Sequence, residues 1–182
     1  FRFRNPERRT GHNDDLGQAV TDIDLNAWTK FIPTNWDTQP LRRAATTLPV
    51  WTVGTQKTDP LRDTVTSAPE LARLTQNLAP VHRDPLLGLE GRRLVYGGHT
   101  IGLAQASLVR LLPDTATVLG WQSCSHAAPV FEHDILSFHH TLLSEQPSSG
   151  GRLRAIRVEV DAERANQATE HVLDLRIVTW GA

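Results

Sequence analysis

Apolar and polar residues are patterned most clearly in the last two-thirds of the chain. Residues 98–112 are apolar on most faces and stop at Pro113, which predicts a helix enclosed by the rest of its domain. Runs rich in β-branched and aromatic residues follow it, separated by Pro, Ser and Gly turns. These runs predict strands at 115–123, 130–131, 135–143, 153–160 and 171–180. One buried helix followed by antiparallel strands predicts an α+β fold.

Prolines and glycines interrupt the first 60 residues too often for a sustained hydrophobic period. A short helix is predicted at residues 22–31, and Trp28, Phe31 and the nearby Trp36 are expected to pack on another part of the molecule. A segment of this length rarely folds alone without disulfides or a metal. The prediction is therefore a linker or wrap-around arm at 1–60 and a globular domain at 61–182.

A second helix is predicted at residues 68–75, just inside this domain. Ser67 is a candidate N-cap, a proline stands near the first helical position, and Glu70 lies in the first turn. A proline-rich loop follows and contains His82. This loop connects the two predicted helices.

Composition narrows the possible partners. The chain has 182 residues, 39% of them hydrophobic, and a formal net charge of −1. No bulk positive field is present to attract nucleic acid or an anionic membrane, so neither is expected as a partner. The apolar runs fall short of the roughly 20 residues of a membrane span, and residues 1–9 lack the apolar core of a secretory signal. A cytoplasmic protein is expected.

No catalytic metal is expected from the sequence. The single cysteine, Cys124, has no partner for an intrachain disulfide and is predicted to be a buried small residue. His139 and His140 are neighbours in a predicted strand, so their side chains point to opposite faces and cannot chelate one ion together. His126 and His133 bracket a proline turn without an obvious third ligand.

Three ordered motifs carry a resemblance to a known family. LTQNLAPVHRD (74–84) resembles the LTGDxNPIHxD signature of the MaoC-like dehydratases, a family of (R)-specific enoyl-CoA hydratases. LVYGGHTIG (94–102) resembles the same family's stretch into its central helix, in the form found in the mesaconyl-CoA hydratase branch. APVFEHD (128–134) is similar to the family's PVxxGD turn, with His133 where glycine is usual. The resemblance covers residues 61–181.

The resemblance implies a hotdog fold, in which an antiparallel sheet wraps around a central buried helix. It implies an acyl-CoA thioester as substrate and reversible hydration, either of a 2-enoyl-CoA in general or of a short branched or dicarboxyl one such as mesaconyl-CoA. It implies no metal and no redox cofactor. Coenzyme A enters as part of the substrate and is not a separate cofactor. A single hotdog leaves one face exposed, so pairing is expected, as a homodimer or with a second hotdog repeat. Residues 1–60 then correspond to a connector between repeats.

The catalytic roles implied by the resemblance fall on His82, Asn77 and Gly97. His82 is the candidate acid/base, since an imidazole exchanges protons near neutral pH. Asn77 stands where the family has a carboxylate, and it can hydrogen-bond water but cannot take a proton. Either His82 acts alone with Asn77 holding the water, or Asp84 or another carboxylate substitutes, or the domain is catalytically silent and binds acyl-CoA or supports an active partner repeat.

Gly97 is the candidate oxyanion-hole residue at the start of the central helix, where free N–H groups suit a developing negative charge. Gly98, His99, Tyr96 and Asp84 are candidate substrate-binding residues. Structural alternatives stay open for them: the two glycines fit a tight strand-to-helix turn, Tyr96 fits the core, and His99 fits a hydrogen bond to a nearby carbonyl.

Overall fold

The computed structural model describes residues 23–46 and 50–182. Its strands and helices are β1 (Gln56–Thr58), β2 (Asp63–Thr64), β3 (Thr115–His126), β4 (Ile135–Ser148), β5 (Gly151–Glu163), β6 (Glu170–Gly181), α1 (Gln39–Ala45), α2 (Ala68–Leu74) and α3 (Gly97–Leu111). The strands form one antiparallel sheet in the order β1-β4-β5-β6-β3, and β2 also pairs with β4. The α+β prediction is therefore confirmed.

Helix α3 lies on one face of this sheet. Strand residues alternate between the two faces, and the apolar residues of the inner face include Phe138 of β4 and Val158 of β5. They enclose Ile101, Ala104 and Leu108 of the helix, all of which are buried. The predicted helix 98–112 is thus confirmed to within one residue at each end.

The opposite face of α3 is open, and here the prediction of an enclosed helix is wrong. Gly102, Ala106 and Val109 are exposed, because a helix resting on a single sheet buries one side only. Glycine and alanine count as apolar in a sequence pattern but bury little area, so the pattern overstated the extent of the contact.

The predicted arm covers part of the outer face of the sheet. A 3-10 helix, Leu25–Phe31, begins after Asp24, whose side chain accepts a hydrogen bond from the N–H of Asn26. Leu25 packs with outer-face residues of β5 and β6, and the Trp28 ring lies over the backbone of Gly120. Phe31 and Trp36 are exposed, so the expectation that they pack elsewhere in the molecule is wrong.

Part of the arm lies outside the described residues, namely 1–22 and 47–49. Strand β1 lies before residue 61, the predicted start of the globular domain. Strands β4 and β5 run further than predicted and meet at a tight turn in which Ser149 and Gly150 have φ values of +47° and +72°. Two residues with positive φ suit the right-handed twist of a hairpin.

Cys124 is exposed, so its prediction as a buried residue is wrong. It lies near the end of β3, the last strand of the sheet order, where one strand edge has no neighbour among the described strands. No further described strand covers this edge of β3, so the Cys124 side chain remains accessible to solvent.

A buried polar cluster joins α3 to the first strands. Ser107 Oγ donates to Asp59 Oδ2 at 2.6 Å and lies 2.8 Å from His140 Nε2. Arg110 Nε donates to the same carboxylate at 2.9 Å, and its terminal nitrogen reaches Asp63 at 3.0 Å. Because the single Ser107 hydrogen goes to Asp59, the His140 Nε2 must carry the proton that Ser107 accepts.

These contacts set the charges of the cluster. Burial alone raises the pKa of the Asp59 carboxyl, but hydrogen bonds from Ser107, the N–H of Leu61 and Arg110 lower it below its usual range. Burial lowers the pKa of His140 from 6.5 to about 4, and its Nδ1 is buried without a hydrogen-bond partner. The cluster therefore holds a carboxylate beside a neutral imidazole at pH 7.

Acid is expected to destabilise the fold through His140. A pKa that is lower in the folded state gives stability that is complete above pH 6.5 and is lost as the pH falls toward 4, by on the order of 3 kcal/mol. Urea unfolding of the wild type and His140→Gln at several pH values measures this loss, which the variant should lack. The matched control is His171→Gln, at an exposed imidazole. Equal losses in wild type and His140→Gln would contradict the assignment.

Candidate active site

A cavity of about 380 Å³ opens at the start of α3. Three parts of the chain form it: the loop after α2, the first turn of α3, and the end of β3 with the segment after it. The lining residues are His82, Leu94, Val95, Gly97, Thr100, His126, Ala127, Ala128, Pro129 and Val130. The lining is mainly apolar, and two imidazoles and the start of a helix face into it, as is typical of a small-molecule site.

His82 is held in one orientation inside this cavity. It ends the 3-10 helix Pro80–His82 and is buried. Its Nδ1 lies 2.8 Å from the carbonyl oxygen of Leu94 and donates to it, because a carbonyl can only accept. The Tyr96 ring stands edge-on to the imidazole, with centroids 6.1 Å apart. The neutral imidazole therefore carries its proton on Nδ1 and keeps Nε2 as a proton acceptor.

The two glycines at the start of α3 each make room for a ring. A Cβ on Gly97 would lie 2.7 Å from His126 Nε2, and a Cβ on Gly98 would lie 2.3 Å from Cζ of Tyr96. Tyr96 occupies the N-cap position without a side-chain hydrogen bond to the helix. Side chains at 97 and 98 would thus displace both rings from the end of α3, where unpaired N–H groups collect.

His126 also lines the cavity, although the sequence assigns it no role. It ends β3, its backbone pairs with Leu173 of β6, and part of its ring reaches solvent at the cavity mouth. The surrounding protein nevertheless lowers the pKa of its imidazole by desolvation. His126 lies two residues before the third motif, and this proximity is the one sequence signal that could have identified it as a site residue.

Five of the predicted site residues lie outside the cavity lining, namely Asn77, Asp84, Tyr96, Gly98 and His99. Asn77 Oδ1 accepts from the N–H of Ala79 at 3.0 Å, and Asp84 Oδ1 accepts from the N–H of Leu86 at 2.9 Å. Both side chains thereby shape the loop that carries His82. His99 is half-buried, burial lowers its pKa, and its Nδ1 is buried without a hydrogen-bond partner.

Two arginines that are distant in the sequence from Asp134 bind it beside the cavity wall formed by Pro129 and Val130. Arg164 donates to the buried Asp134 at 2.9 Å and to the carbonyl oxygen of Pro129 at 2.7 Å. Arg92 also reaches Asp134, at 3.1 Å, and both guanidiniums stack on the ring of Phe131, at 3.9 and 5.2 Å from its centroid. The hydrogen bonds to Asp134 raise the pKa of Arg164. No sequence pattern links these residues.

His139 and His140 are placed as their strand predicts. His139 lies on the outer face, where its Nε2 is 3.4 Å from Asp161, and His140 lies inside. Across residues 23–46 and 50–182, no three His, Cys, Asp or Glu side chains are arranged to hold a metal ion. In the same part of the chain, no helix is long and apolar enough to cross a membrane.

An antiparallel sheet packed on one long helix, with a cavity at the helix start, defines a hotdog domain. The Mycobacterium tuberculosis protein RV0216, described as a double hotdog fold, matches with a TM-score of 0.70 and 41% identity over 81% of this chain and 45% of its own. The R-hydratase PhaJ1 of Pseudomonas aeruginosa has a TM-score of 0.59 at 20% identity, over 72% of this chain and 82% of its own. The predicted hotdog fold is confirmed.

The resemblance to the MaoC-like dehydratases is confirmed as well. The mesaconyl-CoA hydratase of Cereibacter sphaeroides is 32% identical over 90 residues, which are 50% of this chain and 26% of that protein. No protein-family model matches the chain. The chain spans less than half the length of this hydratase and of RV0216.

Gly97→Ala is expected to move the His126 ring while leaving the fold intact, because a flexible side chain is what its Cβ would meet. Imidazole NMR signals of His126 should shift, and the melting temperature should change by no more than a few degrees. The matched control is Gly102→Ala on the same helix, whose Cβ meets nothing within 4 Å. That control should add up to about 1 kcal/mol of stability and leave His126 unshifted. Unchanged His126 signals in Gly97→Ala would refute the contact.

Proposed function

We propose that this chain contributes the active site of an enoyl-CoA hydratase, a hydro-lyase that adds water reversibly to a 2-enoyl-CoA. The observation that carries the proposal is the placement of His82, with a free Nε2, in one cavity with the glycine at the start of α3. The similarity to mesaconyl-CoA hydratase supports a short branched or dicarboxyl acyl group. A planar thioester fits a mainly apolar cavity with few polar groups.

The proposed step moves one proton and no net electrons. As the water oxygen bonds to C3 of the substrate, His82 Nε2 takes the proton that the water loses. The π electrons of the double bond shift toward the thioester and form an enolate, whose oxygen is stabilised by the N–H of Gly97 and the positive end of α3. The imidazolium then gives its proton to C2, and dehydration follows the reverse path.

This chemistry requires neither a metal nor a redox cofactor, because addition of water changes no net oxidation state. Coenzyme A enters as part of the substrate. A cytoplasmic location is proposed as well, because acyl-CoA thioesters are intracellular metabolites.

The alternative is a catalytically silent hotdog domain that binds acyl-CoA or supports an active partner repeat. The observation that favours it is Asn77, whose side chain is engaged by the N–H of Ala79 outside the cavity lining. Asparagine cannot take a proton from water, so a silent domain would keep the cavity without the chemistry.

Pairing with a second hotdog domain is part of the proposal. Along the described strands, β3 pairs with β6 on one side and has no strand on its other edge. The open face of α3 carries Val109, which is 44% exposed, beside two small residues. A free strand edge and an apolar helix face are both features that proteins cover by association.

Replacing His82 by Ala is expected to lower the rate of crotonyl-CoA and mesaconyl-CoA hydration by about 10²- to 10⁴-fold, the usual contribution of a positioned acid/base group. Loss of the enoyl-thioester absorbance measures the rate. His171→Ala, at an exposed histidine of the outer sheet face, is the matched control and should keep full activity. A wild type that binds butyryl-CoA but hydrates neither substrate would support the silent domain instead.

The purified chain is expected to associate. Light scattering coupled to size-exclusion chromatography should give about twice the 20.2 kDa of the chain. A monomeric mass at high protein concentration would contradict the homodimer and leave a second hotdog repeat or a partner chain as the expected cover of the free edge.

A further inference from the structure

The cavity holds a second imidazole besides His82, while the carboxylate of the first motif is missing. Asn77 stands at the carboxylate position of the first motif, yet its side chain is turned onto the backbone of its own loop. His126, from the far end of β3, lines the same cavity as His82. Two acceptors can hold both hydrogens of one water molecule, and a single acceptor cannot.

The position of His126 is tied to the start of α3. The ring packs on Gly97, close enough that a Cβ on residue 97 would come within 2.7 Å of Nε2. The backbone of His126 is held by pairing with Leu173, and the next residue, Ala127, donates its N–H to the carbonyl oxygen of Val172 at 3.0 Å. The imidazole therefore stands beside the helix end that would receive the thioester oxygen.

The His126 imidazole is in the neutral form that can accept a hydrogen bond. Partial burial lowers the pKa of His126, so the ring is neutral at pH 7 and one of its nitrogens has a free lone pair. The Sγ of Cys124 lies 3.9 Å from Nε2, and a thiol at that distance is a weak donor that a water molecule can replace.

We propose that His126 is a second catalytic residue, which accepts one hydrogen of the attacking water while His82 accepts the other. This inference rests on the proposed hydratase function. When the water oxygen bonds to C3, the O–H bond directed at His82 breaks, and its proton later passes to C2. The O–H bond directed at His126 stays intact and becomes the hydroxyl group of the product. No net electrons are exchanged, and both imidazoles return to neutral.

The test is His126→Gln with crotonyl-CoA and mesaconyl-CoA as substrates. We expect kcat to fall about 100-fold for both substrates while KM changes less than about threefold, because the residue acts on water and not on binding. His171→Gln is the matched control and should change neither constant. A His126→Gln variant that keeps the kcat of the wild type would overturn the inference and leave the hydratase function standing.

The other outcomes are equally distinct. A rise in KM for mesaconyl-CoA alone would mean that His126 binds the substrate carboxylate, which overturns its role toward water. A wild type inactive on both substrates would refute the hydratase function and the inference together. Should His126→Gln fail to fold, NMR of the wild type decides: its His126 imidazole signals should shift when 3-hydroxybutyryl-CoA is added, and unshifted signals overturn the inference.

Discussion

The site depends on how closely side chains approach the first turn of α3. Gly97 and Gly98 have no side chains, so the rings of His126 and Tyr96 occupy the space that two Cβ atoms would take. Tyr96 in turn stands against His82. One constraint, the absence of side chains at two adjacent positions, therefore gathers two imidazoles around a helix end with unpaired N–H groups.

That arrangement requires α3 to be fixed along its length. Apolar packing holds the helix on the sheet without specifying where it sits along its axis, because such contacts are not directional. The hydrogen bonds from Ser107 and Arg110 to Asp59 are directional and join the second half of the helix to the chain between β1 and β2. Their cost is a buried neutral imidazole at His140, which makes the fold sensitive to acid.

The two faces of the sheet serve different purposes. The inner face of β4 to β6 packs on α3, while Leu25 and Trp28 of the arm cover one end of the outer face. Elsewhere on the outer face Arg157 pairs with Asp174 at 2.6 Å and with Glu159 at 3.0 Å. The outer face is thus covered or polar at these positions, while Val109 leaves apolar surface on the open side of α3, where a second hotdog domain is proposed to pack.

Local pattern was enough to place the long helix and the four long strands β3 to β6, although β4 and β5 run further than predicted, because hydrophobic periodicity reports which residues of one element face a core. The predicted strand at 130–131 is wrong, since Phe131 forms only an isolated bridge with Leu94. Motif order was enough to name His82 and Gly97 as candidates, since both lie within short segments, and both line the cavity. The tertiary structure decided that Asn77 turns to its own backbone, that His126 meets Gly97, and that Asp59 binds α3. The last two contacts join residues distant along the chain and depend on strand register and helix position, which no local pattern encodes, whereas the turn at Asn77 is local and the motif resemblance alone did not predict it.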